Sequence, residues 1–137
     1  LATSSAASDV YKRQKYYPNQ WGDHREAAKV IYDPNKVSFA ELVKHVFNTV
    51  DYEDSDGQFC DRGHSYSPAI YYKNNEQKNI INDIAPKTSK VAVEKETKFY
   101  PVRDEHQNFY KKNSLKYYLY KTACGREKRL KQLKKVK

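Results

Sequence analysis

The sequence predicts an α+β domain. Three observations carry that reading: apolar stripes at helical spacing behind capping residues, short runs rich in β-branched and aromatic residues between them, and no internal repeat. The chain has 137 residues, the length of one ordinary domain. Residues 1–14 are small and polar without periodicity and are set apart from the fold as a non-native or disordered leader. Within them Asp9 to Gln14 reads like the translation of a sequencing adaptor, which puts the native start near Lys15 and the domain at residues 15–137; a natural flexible leader is the alternative.

From Glu26 the run Ala-Ala-Lys-Val-Ile-Tyr ends at the turn pair Asp33-Pro34 and reads as a strand. Ser38 opens a helix: Ser38 and Glu41 form a capping box, and Phe39, Leu42, Val43, Val46, Phe47 and Val50 make one apolar stripe. Residues 51–63 have no period and read as an irregular, functional loop. Ala69 to Tyr72 is a second strand, Asn75 to Ile84 a helix with Ile80, Ile81 and Ile84 inward, and Val91 to Val93 a third strand. Phe99 to Pro101 reads as an extended turn and Asp104 to Lys112 as helix. From Leu115 a Tyr-rich segment runs into a basic helix, whose Leu130, Leu133 and Val136 form a narrow edge suited to docking on the body.

Composition excludes several functions. The net charge is +9, but seven cations crowd into residues 126–137 against one Glu, whereas a nucleic-acid interface spreads its cations over a docking face. A basic module stacking bases on Tyr117, Tyr118 and Tyr120 is therefore a rival of low rank. No apolar run approaches the length of a membrane span. Two cysteines, Cys60 and Cys124, are too few for a disulfide scaffold and fit a reducing, cytoplasmic setting, though a single pair could form or serve redox chemistry. No zinc spacing, phosphate loop or nucleophile elbow is present, so no metal and no cofactor is expected; Cys60, Asp61 and His64 are the one tight cluster of metal-ligating types. His45 falls off the apolar stripe and reads as a surface histidine.

Several pieces in one order carry a resemblance: Asp23-His-Arg-Glu26 before the strand closed by Asp33-Pro34, the helix of Ser38 to Leu42, then Gln58-Phe-Cys-Asp-Arg-Gly63 with Tyr66 and Ala69 to Tyr72. Asn75 to Lys78, Phe99 to Pro101, His106-Gln107 with Tyr110, and Lys121 to Arg126 follow. Together they resemble the peptide methionine sulfoxide reductase A family, from about His24 to about Leu133. The resemblance implies a two-layer α/β sandwich with a small mixed sheet. It also implies an activity: a cysteine thiolate attacks the sulfur of a methionine S-sulfoxide, and the resulting sulfenic acid is reduced through a disulfide by thioredoxin or another dithiol. The expected partners are oxidised methionine in peptides or proteins and that reductant, on a monomer without nucleic acid or membrane.

By the same resemblance Glu26 is the acid that protonates the leaving oxygen, kept protonated in an apolar, aromatic-lined pocket, while Asp61 and Tyr66 position that oxygen or a water. Tyr16 or Tyr17 and His24 are candidate substrate-binding residues, and Cys124 is the candidate resolving cysteine. Cys60 reads as a buried structural thiol, and His24 and His106 as orienting rather than catalytic groups. Without the resemblance, Glu26 is an ordinary solvated residue at a strand start and Asp61 a turn residue. Departures matter as well. The family nucleophile lies in a Gly-Cys-Phe-Trp element that residues 1–23 do not hold, Trp21 does not follow a cysteine, Asp23 replaces a glycine, and Arg103 and Glu105 break the pattern. The fragment is therefore expected to be inactive by itself; a catalytically dead domain that binds methionine peptides is the alternative.

Overall fold

The computed structural model describes residues 2–6, 25–99 and 109–137. In order, these form β1 (Ala2–Ala6), β2 (Ala27–Ile31), α1 (Phe39–Thr49), β3 (Gly57–Gln58), β4 (Asp61–Arg62), a single 3₁₀ turn (His64–Tyr66), β5 (Ala69–Tyr72), α2 (Asn75–Ile84), β6 (Ala92–Lys95), α3 (Phe109–Lys112), α4 (Ser114–Ala123) and α5 (Arg126–Gln132). This is the α+β class the sequence predicts. Parallel and antiparallel pairing both occur, spread over three two-stranded ladders: β1 with β2 and β3 with β4 antiparallel, β5 with β6 parallel.

Local chemistry sets the helices. Ser38 caps α1, its side chain accepting from the Glu41 N–H at 3.1 Å, and the Asn74 side chain caps α2 by accepting from Gln77 N–H at 2.9 Å. Their apolar faces meet in the core, where Val43, Phe47, Tyr52, Ile81, Val91 and Leu133 are buried and Phe39, Val50, Ile70, Tyr72 and Ile84 pack around them. Phe47 and Tyr52 meet edge to face, with ring centroids 6.3 Å apart.

Two differences from the sequence reading follow from backbone geometry. Residues 2–6, inside the segment set apart as leader, pair with β2 from Ala2 against Ile31 to Ala6 against Ala27; a ladder of main-chain hydrogen bonds needs no side-chain period. Residues 51–63 hold the β3/β4 hairpin, joined by the two-residue turn Phe59-Cys60. Phe59 takes φ 53°, a left-handed conformation unfavourable for a bulky residue. Gly57 sits so close to the facing strand that a Cβ there would lie 2.2 Å from the Asp61 carbonyl oxygen. Neither feature leaves a periodic trace.

The C-terminal segment belongs to the core. Leu133 is buried and Leu130 and Val136 pack beside it, but α5 ends at Gln132, so Leu133 and Val136 reach the core from extended chain and not from the helical edge that the spacing predicts. Asn48 exchanges two hydrogen bonds with the Val136 backbone, and the Tyr52 hydroxyl donates to the Lys134 carbonyl at 2.8 Å. Arg129 donates from Nε to buried Asp51 at 2.6 Å and from Nη2 to Glu53 at 3.1 Å. Arg126 likewise donates to the Thr49 carbonyl at 2.7 Å, so two of the tail's cations are turned onto the protein.

Candidate active site

Glu26 lies just before β2, and its place is fixed from both sides. Its N–H donates to the Ser65 carbonyl at 2.7 Å, tying the strand start to the 3₁₀ turn that carries Tyr66. The neighbouring Arg25, whose side chain is only 10% exposed, donates to Ser67 Oγ at 2.9 Å and to the Tyr71 hydroxyl and Glu94 Oε1 at 3.1 Å each. Arg25 thereby clamps the strand entry onto β5 and β6. The sequence gives no signal for this role, because its partners lie more than forty residues away.

Asp61 opens β4, and the hairpin beneath it is anchored at the end of α1. Gln58 Oε1 accepts from Asp51 N–H and Gln58 Nε2 donates to the Asp51 carbonyl, both at 2.9 Å. Arg62 beside Asp54 holds the Asp54 carboxyl below the usual carboxylate range. Tyr120, on α4, donates its hydroxyl to the Asp61 carboxylate.

Tyr66 is half-buried. Burial first, then the negative charges of Glu26 and Asp61, raises its pKa, so the phenol stays protonated at neutral pH and can donate. Tyr120, although 46% exposed, is also raised, by partial desolvation, by its hydrogen bond to Asp61 and by the surrounding Asp61, Tyr66 and Glu26. Of the three residues expected from the sequence, Tyr66 thus feels the charges of the other two, Glu26 and Asp61. Tyr120 joins them, and sequence reasoning missed it: one tyrosine among thirteen carries no mark of its long-range partner.

Two expectations are corrected. Glu26 is exposed, so burial does not supply the apolar surroundings assigned to it; it sits at a strand entry rather than within a closed pocket. Cys60 is exposed, not a buried thiol, because it occupies the outer turn of the hairpin, and it forms a disulfide with Cys124 with Cα atoms 5.3 Å apart. Tyr16, Tyr17, Trp21, Asp23, His24, Arg103, Glu105 and His106 lie outside the described residues. His45 is exposed, as its position off the stripe predicts. Among the described residues no group of three or more His, Cys, Asp or Glu is arranged to hold a metal ion, and no helix is long and apolar enough to cross a membrane.

Residues 8–137 match the family model of peptide methionine sulfoxide reductase. A peptide methionine sulfoxide reductase of Rhizobium meliloti is 41% identical over 121 residues, which cover 82% of this chain and 60% of that protein. One from Staphylococcus aureus is 38% identical over 118 residues, covering 80% and 66%. The chain therefore spans about two thirds or less of these relatives' lengths. In fold it is similar to methionine sulfoxide reductase A of Corynebacterium diphtheriae, with a TM-score of 0.67 at 24% identity over 84% of this chain and 65% of that one. A Saccharomyces cerevisiae protein solved in reduced form gives the same TM-score at 23% identity, over 82% and 70%.

Proposed function

The chain belongs to the peptide methionine sulfoxide reductase family, and from that premise we propose that Glu26, Asp61 and Tyr66 form the acid side of a site that reduces methionine S-sulfoxide in peptides and proteins. One observation carries the reading: in the folded chain a half-buried phenol, Tyr66, feels the charges of both Glu26 and Asp61. As the S–O bond weakens, negative charge grows on oxygen, and a proton donor with fixed hydroxyl donors around it lowers that barrier. Glu26 gives the proton, Tyr66 donates a hydrogen bond as a neutral phenol, and Asp61 orients the oxygen or a water. Because Glu26 is exposed, the apolar surroundings of the acid come with the bound substrate.

The oxygen ends on a cysteine sulfur as sulfenic acid, and the sulfoxide sulfur regains its lone pair. Neither cysteine of this chain is placed to begin that step, since both are held in one disulfide. On this reading the chain by itself does not reduce the sulfoxide. Cys124 is freed from Cys60 by a dithiol such as thioredoxin after the oxygen has been transferred, and then acts as the resolving thiol. The closed pair also favours a second reading, a domain that binds methionine peptides without reducing them.

Glu26→Gln tests the acid. In a chimera with a relative's cysteine-bearing N-terminal segment ahead of Lys15, the substitution should slow single-turnover formation of methionine by about 100-fold or more and remove the loss of rate as pH rises. An unchanged rate and pH profile would overturn the assignment.

A further inference from the structure

Asp61 and Tyr120 are 59 positions apart, and two independent ties bring their elements together. Asp61 directly follows Cys60; Tyr120 stands one helical turn before Cys124, on the same face of the end of α4. The Cys60–Cys124 disulfide joins the hairpin turn to that helix end. Beside it, the Arg126 guanidinium lies over the Phe59 ring, 4.5 Å from its centroid, and donates to the Thr49 carbonyl at 2.7 Å. Phe59 is the residue in the left-handed conformation, and such a conformation persists only where its surroundings hold it. Here a ring contact on one side and a covalent bridge on the next residue do so.

We propose that Tyr120 is a positioning residue of this site, set on the Asp61 carboxylate by the Cys60–Cys124 bridge, so that the orientation of Asp61 depends on the bridge being closed. The inference rests on Asp61 belonging to the acid side of the sulfoxide site. A carboxylate on a two-residue strand has little to fix its rotation. With one oxygen held by the Tyr120 hydroxyl, the other is left to accept from a water, or from the sulfoxide oxygen once that oxygen is protonated. Opening the bridge takes two electrons and two protons from an external dithiol, which leaves as its own disulfide while Cys60 and Cys124 become thiols. The end of α4 is then untied from the hairpin, and the hydrogen bond loses its support.

Tyrosine labelled with carbon-13 at Cζ reports this directly in the full chain at neutral pH, with the Tyr120 signal assigned by its loss in Tyr120→Phe and Tyr118, 61% exposed, as the solvent reference. The Tyr120 signal should stand apart from that of Tyr118 in the oxidised chain. It should lose that offset in Asp61→Asn, in Cys124→Ser and on addition of dithiothreitol, and regain it on reoxidation. The reversible arm uses the unaltered chain, so a variant that fails to fold does not decide the matter. A Tyr120 signal that coincides with Tyr118 from the start, or that either Asp61→Asn or opening the bridge leaves in place, overturns the proposal. None of these readings involves a sulfoxide. Failure here leaves the acid-site assignment standing, and failure of sulfoxide binding with an intact Tyr120 signal strikes only that assignment.

Discussion

Incubated with dithiothreitol and a methionine S-sulfoxide peptide, the 137-residue chain is expected to turn over at least ~1000-fold more slowly than the chimera bearing a cysteine segment ahead of Lys15. Reaction at sulfoxide sulfur needs a thiolate within about 3.5 Å and in line with the S–O bond, and that positioning is worth several kcal/mol of barrier. The chain has two cysteines, and both lie in one bridge, in which Cys60 directly precedes Asp61. Dithiothreitol frees them, but neither stands in the element to which the resemblance assigns the nucleophile. Comparable turnover by the two proteins, measured as methionine released per chain, would refute this and mark Cys60 or Cys124 as an unexpected nucleophile.

Deleting residues 126–137 should abolish cooperative folding. The segment places Leu133 in the core with Leu130 and Val136 beside it, and apolar side chains of this size contribute about 1.5–3 kcal/mol each when fully buried. It also carries Arg129, the partner of an Asp51 that is 6% exposed; a buried carboxylate left without its cation costs about 3 kcal/mol or more, less here because Arg129 is partly exposed. Together these losses match the whole stability of an ordinary domain, about 5–15 kcal/mol. Leu133→Ala alone should cost about 3 kcal/mol in urea denaturation. A truncated chain that still unfolds in one sharp transition near the original midpoint would show the tail to be peripheral.

The apolar edge of that tail is legible in the sequence, whereas the ion pairing of Arg129 is not. The stripe of α1 and the inward isoleucines of α2 are legible because a helix buried on one side writes its period into consecutive residues; Leu130, Leu133 and Val136 are legible as apolar positions, but only Leu130 lies in α5. Arg129 looks like any other cation of a basic run until Asp51 is found opposite it. The same division holds at the site. Glu26, Asp61 and Tyr66 are legible through the motifs around them. Arg25 and Tyr120 are missed because each works through a partner at least 42 positions away, and the Cys60–Cys124 bridge stands in the sequence only as one open reading beside a buried Cys60 thiol. The β3/β4 hairpin escapes for a different reason: two-residue strands around Phe59-Cys60 are set by one close approach at Gly57 and one left-handed residue, neither of which recurs.

The acid-side assignment is tested most directly by titrating the isotope-labelled chain with a blocked methionine S-sulfoxide and, separately, with its R epimer. Saturable shifts of the Glu26, Asp61, Tyr66 and Tyr120 signals with the S epimer, weaker with the R epimer and lost in Asp61→Asn, are the predicted result. Shifts confined to the exposed Tyr117 and Tyr118 of α4, or equal responses to both epimers, would contradict it.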